Sequence, residues 1–151
     1  MTSIKHWFGR MGVSGSAGIE LALAAPLLAL LITAGFDFGR ALYEQHRLVA
    51  AARAGVQYAM QSTTDWTDTT DITAAVRADA GDTANSLTVT PSTCTCPGGN
   101  SPCSTSTTCS GSTIAGTYVK VVVSESYSTV VSYPFVTSPF TISGQALVRV
   151  Q

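Results

Sequence analysis

The sequence predicts an α+β fold, in which a long N-terminal helix is followed by a small antiparallel β-sheet and a disulfide-braced loop. An almost uncharged apolar run near the N-terminus continues directly into an amphipathic helical stripe. The C-terminal half is rich in Ser, Thr and Val and contains alternating polar and apolar segments, which are typical of strands. Charged residues make up only 11% of the 151 residues, against roughly 25% in soluble globular proteins.

The apolar run covers residues 19–36, and its only charged residue is Glu20. Its 18 residues fall within the span of about 17–25 that a helix needs to cross a bilayer. An apolar stripe with helical spacing then continues beyond Arg40, at Leu42, Val49, Ala52, Val56 and Ala59/Met60. One helix is therefore predicted over residues 17–61, with residues 16–38 as its transmembrane half and residues 39–61 as an amphipathic half that packs on the sheet.

Residues 62–151 are predicted to form a β-rich domain outside the cytoplasm. A loop precedes a short helix at residues 72–80, with Asp71 as its N-cap and Gly81 as its C-terminal stop. Alternation of polar and apolar residues predicts four strands. They are placed at residues 86–90, 117–123, 126–133 and 140–150.

Four cysteines, Cys94, Cys96, Cys103 and Cys109, lie in one Ser/Thr/Pro/Gly-rich stretch, residues 94–109. An even number of cysteines in a small loop-rich segment indicates two disulfides and an oxidising compartment. A zinc site is the alternative, but gaps of one, six and five residues do not repeat the short C-x2-C pairs of zinc sites. Three pairings exist, and because a Cys94–Cys96 ring would be very tight, one of these two residues is expected to pair with Cys103 and the other with Cys109.

Neither a catalytic site nor a cofactor is predicted. A net charge of −1 leaves no general basic surface, so nucleic acid is not an expected partner. The sequence has no Gly-rich phosphate loop and no G-x-S-x-G motif, and its two histidines, His6 and His46, have no matching catalytic partners. The spaced acids Asp65, Asp68 and Asp71 are interpreted as turn and cap residues, since a calcium loop needs a denser acidic run; no metal ligands are predicted.

Three interpretations compete for the N-terminus: a cleaved secretory signal, a signal anchor and a processed leader. A secretory signal is disfavoured because Glu20 stands at the start of the apolar core and the helical pattern continues well past it. A signal anchor accounts for the length of the run but not for an acid at the membrane entry.

The segment Gly15-Ser16-Ala17-Gly18-Ile19-Glu20 resembles the processing site of type IV pilins and pseudopilins. The continuation, with Pro26 and then Phe38-Gly39-Arg40, is closer still to the TadE/TadF group of the tight-adherence (Tad/Flp) pilus system. The resemblance covers roughly residues 15–60, and residues 50–55, AAARAG, match a further family stretch. Pro26 lacks an N–H, so the helix can bend there.

The resemblance implies a minor pilin, or pseudopilin, without catalytic activity. A prepilin peptidase would cut between Gly15 and Ser16, removing leader residues 1–15 and leaving Glu20 as the fifth residue. Glu20 would then pair with the N-terminal amine of a neighbouring subunit during assembly. Expected partners are prepilin peptidase, other pilin and minor pilin subunits, the inner-membrane assembly machinery and membrane lipid.

The implied location is a single pass in the inner membrane with the C-terminal domain outside the cytoplasm, and the pilus itself after assembly. The distribution of positive charge opposes this orientation, because Arg40, Arg47 and Arg53 follow the span while only Lys5 and Arg10 precede it. The cysteines and the charge-poor domain favour it. The alternative function is an uncleaved, signal-anchored binding or adhesion module.

Overall fold

The computed structural model describes residues 14–61, 65–96, 109, 116–133 and 135–150. These residues confirm the α+β fold. Helix α1 (Ser14–Ala59) is followed by a short 3-10 helix (Asp65–Thr67), helix α2 (Thr69–Ala80) and strands β1 (Thr88–Cys94), β2 (Tyr118–Tyr127) and β3 (Phe140–Arg149). Two compact units are distinguished, and the boundary between them falls after Phe38.

Helix α1 is the single long helix that the sequence predicts. It begins at Ser14 and ends at Ala59, close to the predicted limits of residues 17–61. Pro26 lies inside the helix without ending it. Apolar segments that contact lipid or neighbouring helices tolerate such prolines, because nearby groups satisfy the carbonyl left without a partner.

The predicted N-cap of the short helix was wrong. Helix α2 starts three residues earlier than expected, and Asp68 is its N-cap, with Oδ1 accepting hydrogen bonds from the N–H groups of Thr70 and Asp71. Asp71 instead lies in the first turn, where its charge favours the helix dipole. Gly81 ends the helix as predicted, because its φ of +66° is a left-handed conformation that suits glycine.

The sheet has three strands in the order β1-β2-β3, and both pairings are antiparallel. The separate strand predicted at residues 126–133 was wrong: β2 continues without interruption to Tyr127, and residues 128–133 lie outside strands. Strand β1 begins and ends later than predicted and includes Pro91. Proline lacks an N–H and is tolerated there because β1 is an edge strand.

The core lies between one face of the sheet, helix α2 and the second half of α1. Of the predicted stripe, Ala52, Val56 and Ala59 are buried, whereas Leu42 at 40% and Met60 at 50% are exposed. Its buried apolar residues are Leu48, Ala51, Ala52, Val56, Ala59, Ile72, Val76, Ala80, Leu87, Val119, Val121 and Val123. Two glycines mark close approaches. A Cβ on Gly55 would lie 2.6 Å from Val76 Cγ2, and one on Gly144 would clash with the backbone nitrogen of Val49. The helices and the sheet therefore pack closely only because these positions lack side chains.

Candidate functional site

The first half of α1 is the candidate membrane segment. Helix residues Ala17–Ala59 are long and apolar enough to cross a bilayer, and none of the 18-residue window that meets this criterion is buried. The large apolar side chains here are exposed, for example Leu23 at 76% and Ile32 at 72%. A core helix of a soluble protein would bury such side chains, so lipid or neighbouring apolar helices are the environment that this surface fits.

The predicted processing residues lie at the beginning of the same helix. Gly15 and Ser16 belong to the first turn of α1, and the surroundings of their side chains fall outside the described residues. Glu20 lies just over one turn further along and is exposed on the helix surface. Cleavage after Gly15 and the assembly role of Glu20 both stay predictions.

The Phe38-Gly39-Arg40 motif stands where the apolar run gives way to the packed half of α1. Phe38 is 66% exposed, and a Cβ on Gly39 would meet no atom within 4 Å. The guanidinium carbon of Arg40 lies 5.7 Å from the centre of the Tyr127 ring, which is close enough for a cation–π interaction. Tyr127 in turn packs against Phe140, with the ring centres 5.4 Å apart. Arg40 therefore links α1 to the end of β2 and the start of β3.

A second link uses a half-buried arginine two turns later. The Arg47 Nη2 group donates a 2.7 Å hydrogen bond to Oε2 of Glu125 on β2. Its Nε lies 2.9 Å from Glu44 Oε2, a close ion pair without hydrogen-bond geometry. Since the side chains are 25–34% exposed, solvent screens these pairs only in part.

The alanine-rich stretch AAARAG, residues 50–55, has a packing role. Ala51 and Ala52 are fully buried, and Gly55 allows Val76 of α2 to pack directly against the backbone of α1. Small residues at a helix interface permit this closeness, whereas any larger side chain would push the elements apart. The pattern therefore serves the fold of the packed half of α1.

The structure confirms a disulfide between Cys96 and Cys109, one of the two bonds expected from the cysteine spacing. Cys94, at the end of β1, is also disulfide-bonded and buried. Cys103 lies outside the described residues. The Cys96–Cys109 bond closes 13 residues of chain next to the end of the sheet, where it reduces the entropy of the unfolded state.

The connection from α2 to β1 is organised by Asp82. Its carboxylate accepts hydrogen bonds from the Leu87 N–H at 3.0 Å and from the N–H and hydroxyl of Ser86 at 2.9 Å. These bonds, the Leu87 bond foremost, hold the pKa of Asp82 below its ordinary value of 3.8, and the Arg77 guanidinium at 3.9 Å adds to the effect. The turn that leads into the edge strand is thus stabilised by a charged side chain.

Among the described residues, no group of three or more His, Cys, Asp or Glu side chains could hold a metal ion. A cleft of about 260 Å³ lies beside β1, lined by Trp66, Thr67, Thr69, Pro91, Ser92, Thr93 and Val119. It contains hydroxyl groups but no acid, base or thiol, so its lining offers no general acid or base for catalysis.

Several residues that organise the packed half were missed from the sequence alone. Tyr127 and Phe140 carry no pattern that distinguishes them from other strand aromatics. Glu125 did offer a signal, since it is the only acidic residue after Asp82. Gly144 interrupts a strand pattern, which often marks a close approach of another backbone.

Comparison with known proteins supports the resemblance carried by the helix motifs. A family model described as TadE-like protein matches residues 15–57. No curated protein and no solved structure gives a significant match. The matched stretch begins in the first turn of α1 and ends two residues before the helix does, so it includes both the exposed apolar half and the packed half. Over residues 15–57 the chain is therefore similar to TadE-like proteins.

Proposed function

We propose that the chain is a minor pilin or pseudopilin of a tight-adherence pilus, cut by a prepilin peptidase after Gly15 and assembled into the pilus or used to prime it. The observation that carries the proposal is the TadE-like match over residues 15–57, which coincides with an exposed apolar helix. The TadE-like family is structural rather than catalytic.

In the proposed arrangement residues 16–38 cross the inner membrane, and residues 39–61 and 62–151 lie outside the cytoplasm. The Cys96–Cys109 disulfide supports this orientation, because such bonds persist in oxidising compartments. The arginines after the span oppose it by number.

Glu20 is the proposed assembly residue. A carboxylate at the entry to an apolar segment is costly unless it gains a partner, and the new amine of Ser16 on a neighbouring subunit would be one. The exposure of Glu20 on the helix surface leaves it accessible to such a neighbour.

The N-terminal residue of the chain extracted from membranes tests the proposal. Cells with an active prepilin peptidase should yield a mature chain that begins at Ser16, and Gly15→Leu should leave the chain starting at Met1. Gly18→Leu is the matched control, because a Cβ at Gly18 would meet no atom within 4 Å. A wild-type chain that still begins at Met1 would instead support the uncleaved, signal-anchored adhesion module.

Assembly is tested separately at Glu20. Glu20→Gln keeps the size of the side chain and removes its charge, so membrane insertion should persist while incorporation into pili falls. Glu20→Asp retains the charge and should restore part of the incorporation. Normal pilus formation by Glu20→Gln would refute the pairing role without affecting the cleavage proposal.

A further inference from the structure

The connection between β2 and β3 exposes an unusual amount of apolar surface. Phe135 is 97% exposed, Val130 64%, Val136 47% and Val131 39%. In the sequence no charged residue occurs from position 126 to position 148. Exposed apolar side chains concentrated in one uncharged connection favour a contact with a membrane or with another protein, since water is a poor environment for them.

The packing of the second unit shows at which end this connection lies. Gly55 of α1 approaches Val121 of β2, Arg47 binds Glu125, and Arg40 stacks on Tyr127. Successively earlier residues of α1 thus meet successively later residues of β2, so the helix and the strand run in opposite directions. The β2–β3 connection therefore lies at the end of the unit where α1 enters it.

Its base is held in place by specific contacts. The Tyr127 and Phe140 rings pack together where β2 ends and β3 begins, and the Thr129 N–H donates a 3.1 Å hydrogen bond to the Ser138 hydroxyl. Arg40, which stacks on Tyr127, follows Phe36, the last residue of the apolar run, by four positions. At 1.5 Å per residue this is about 6 Å along the helix axis.

We propose that the side chains of Val130, Val131, Phe135 and Val136 insert into the outer interface of the lipid bilayer, as a second membrane contact of the chain in addition to the transmembrane half of α1. The inference rests on the membrane placement in the proposed function. Lipid is favoured over a protein partner because the connection lies at the end of its unit where α1 enters, and the residues of α1 that precede this point are the apolar run. The stretch is also uncharged and contains Tyr133 and Phe135, aromatic residues of the kind found where a protein meets the membrane interface.

Site-specific photocrosslinking tests this contact in the full chain, extracted from membranes and reconstituted into vesicles of phosphatidylethanolamine and phosphatidylglycerol. The photoreactive p-benzoylphenylalanine replaces Phe135, or Val130 as a second reporter. Both positions are largely exposed, so the replacement should not disturb the core. Mass spectrometry then distinguishes adducts with lipid from adducts with protein.

Leu147 is the matched control, an apolar residue of β3 that is 42% exposed. It lies seven positions beyond Phe140, about 23 Å further along the strand from the connection. Leu28, in the apolar run and 52% exposed, reports on insertion of the helix itself. Lipid adducts are expected at positions 28, 130 and 135, and no lipid adduct is expected at position 147.

Lipid adducts at position 28 but not at 130 or 135 would overturn the second contact and leave the membrane placement of α1 intact. Protein adducts at position 135 would overturn it in favour of a subunit interface. Lack of a lipid adduct at position 28 as well would refute the membrane placement on which the inference rests. Cleavage after Gly15 is measured independently, so its failure would be recognised separately.

Discussion

Replacing Gly144 with alanine should destabilise the packed unit more than any other Gly→Ala change at a described glycine with negative φ. A Cβ at this position would clash with Val49 N and would lie 2.5 Å from Leu48 C and 2.8 Å from Leu48 O. These are backbone atoms of a helix, so they cannot rotate away as a side chain can. Strand β3 would have to move off α1 by about 1 Å to restore an ordinary contact of 3.4 Å.

The expected cost follows from this separation. A radial gap of 0.5–1 Å forfeits roughly a quarter to a half of the dispersion energy of each contact that it opens. Overpacking of a close-packed core typically costs about 1–3 kcal/mol, and a clash with rigid backbone belongs at the upper end. We therefore expect a loss of about 3 kcal/mol in the free energy of unfolding, against a total of roughly 5–15 kcal/mol for a typical domain.

Urea unfolding of the full chain in detergent micelles, with disulfides intact, measures this loss. In a Trp7→Phe background the fluorescence reports on Trp66, which packs against the core. Ser143→Ala, at the exposed neighbouring position, should leave the free energy of unfolding unchanged within about 0.5 kcal/mol. Gly55→Ala should fall between the two, since its Cβ meets a side-chain methyl group at 2.6 Å. Equal unfolding midpoints for Gly144→Ala and Ser143→Ala would refute the close packing of β3 on the helix.

Three further predictions concern the charged and cross-linked groups. Asp82→Asn should lower the free energy of unfolding at neutral pH. Because the pKa of Asp82 is depressed in the folded state, its ionised carboxylate stabilises the fold at pH values above its ordinary pKa of 3.8. This stabilisation is lost as the pH falls through the lower pKa of the folded state. The prediction would be contradicted if urea titrations gave the same difference in the free energy of unfolding between variant and wild type at all pH values. Glu125→Gln should cost about 1 kcal/mol by removing the 2.7 Å bond from Arg47, and a double-mutant cycle with Arg47→Met that shows no coupling would rule it out. A thiol reagent should label no cysteine in the non-reduced, denatured wild-type protein. Cys96→Ser should expose one reactive thiol, that of Cys109, and lower the free energy of unfolding by about 3 kcal/mol. Four reactive thiols in the wild type, or stoichiometric release of zinc, would overturn both the disulfides and the oxidising compartment.

The periodicity of the first 60 residues was enough to predict one long helix. Helical order depends on interactions between residues three and four apart, so a local pattern contains most of that information. The end of α2 could also be predicted from local sequence, since Gly81 adopts the left-handed conformation that ends the helix. The TadE-like resemblance rests on the same N-terminal stretch, and for that reason its motifs can be read directly from the residues.

Other features depend on residues that are distant in the sequence, and only the tertiary structure decided them. The limits of the strands belong to this group: residues 126–133 have strand composition, yet β2 ends at Tyr127, where its pairing with Phe140 is the last of the ladder. The Arg40–Tyr127 stack, the Arg47–Glu125 bond and the close approach at Gly144 each join α1 to a strand about 80 or more residues later. Local propensity cannot specify such contacts, because they exist only after the helix has packed on the sheet and excluded water from the groups between them.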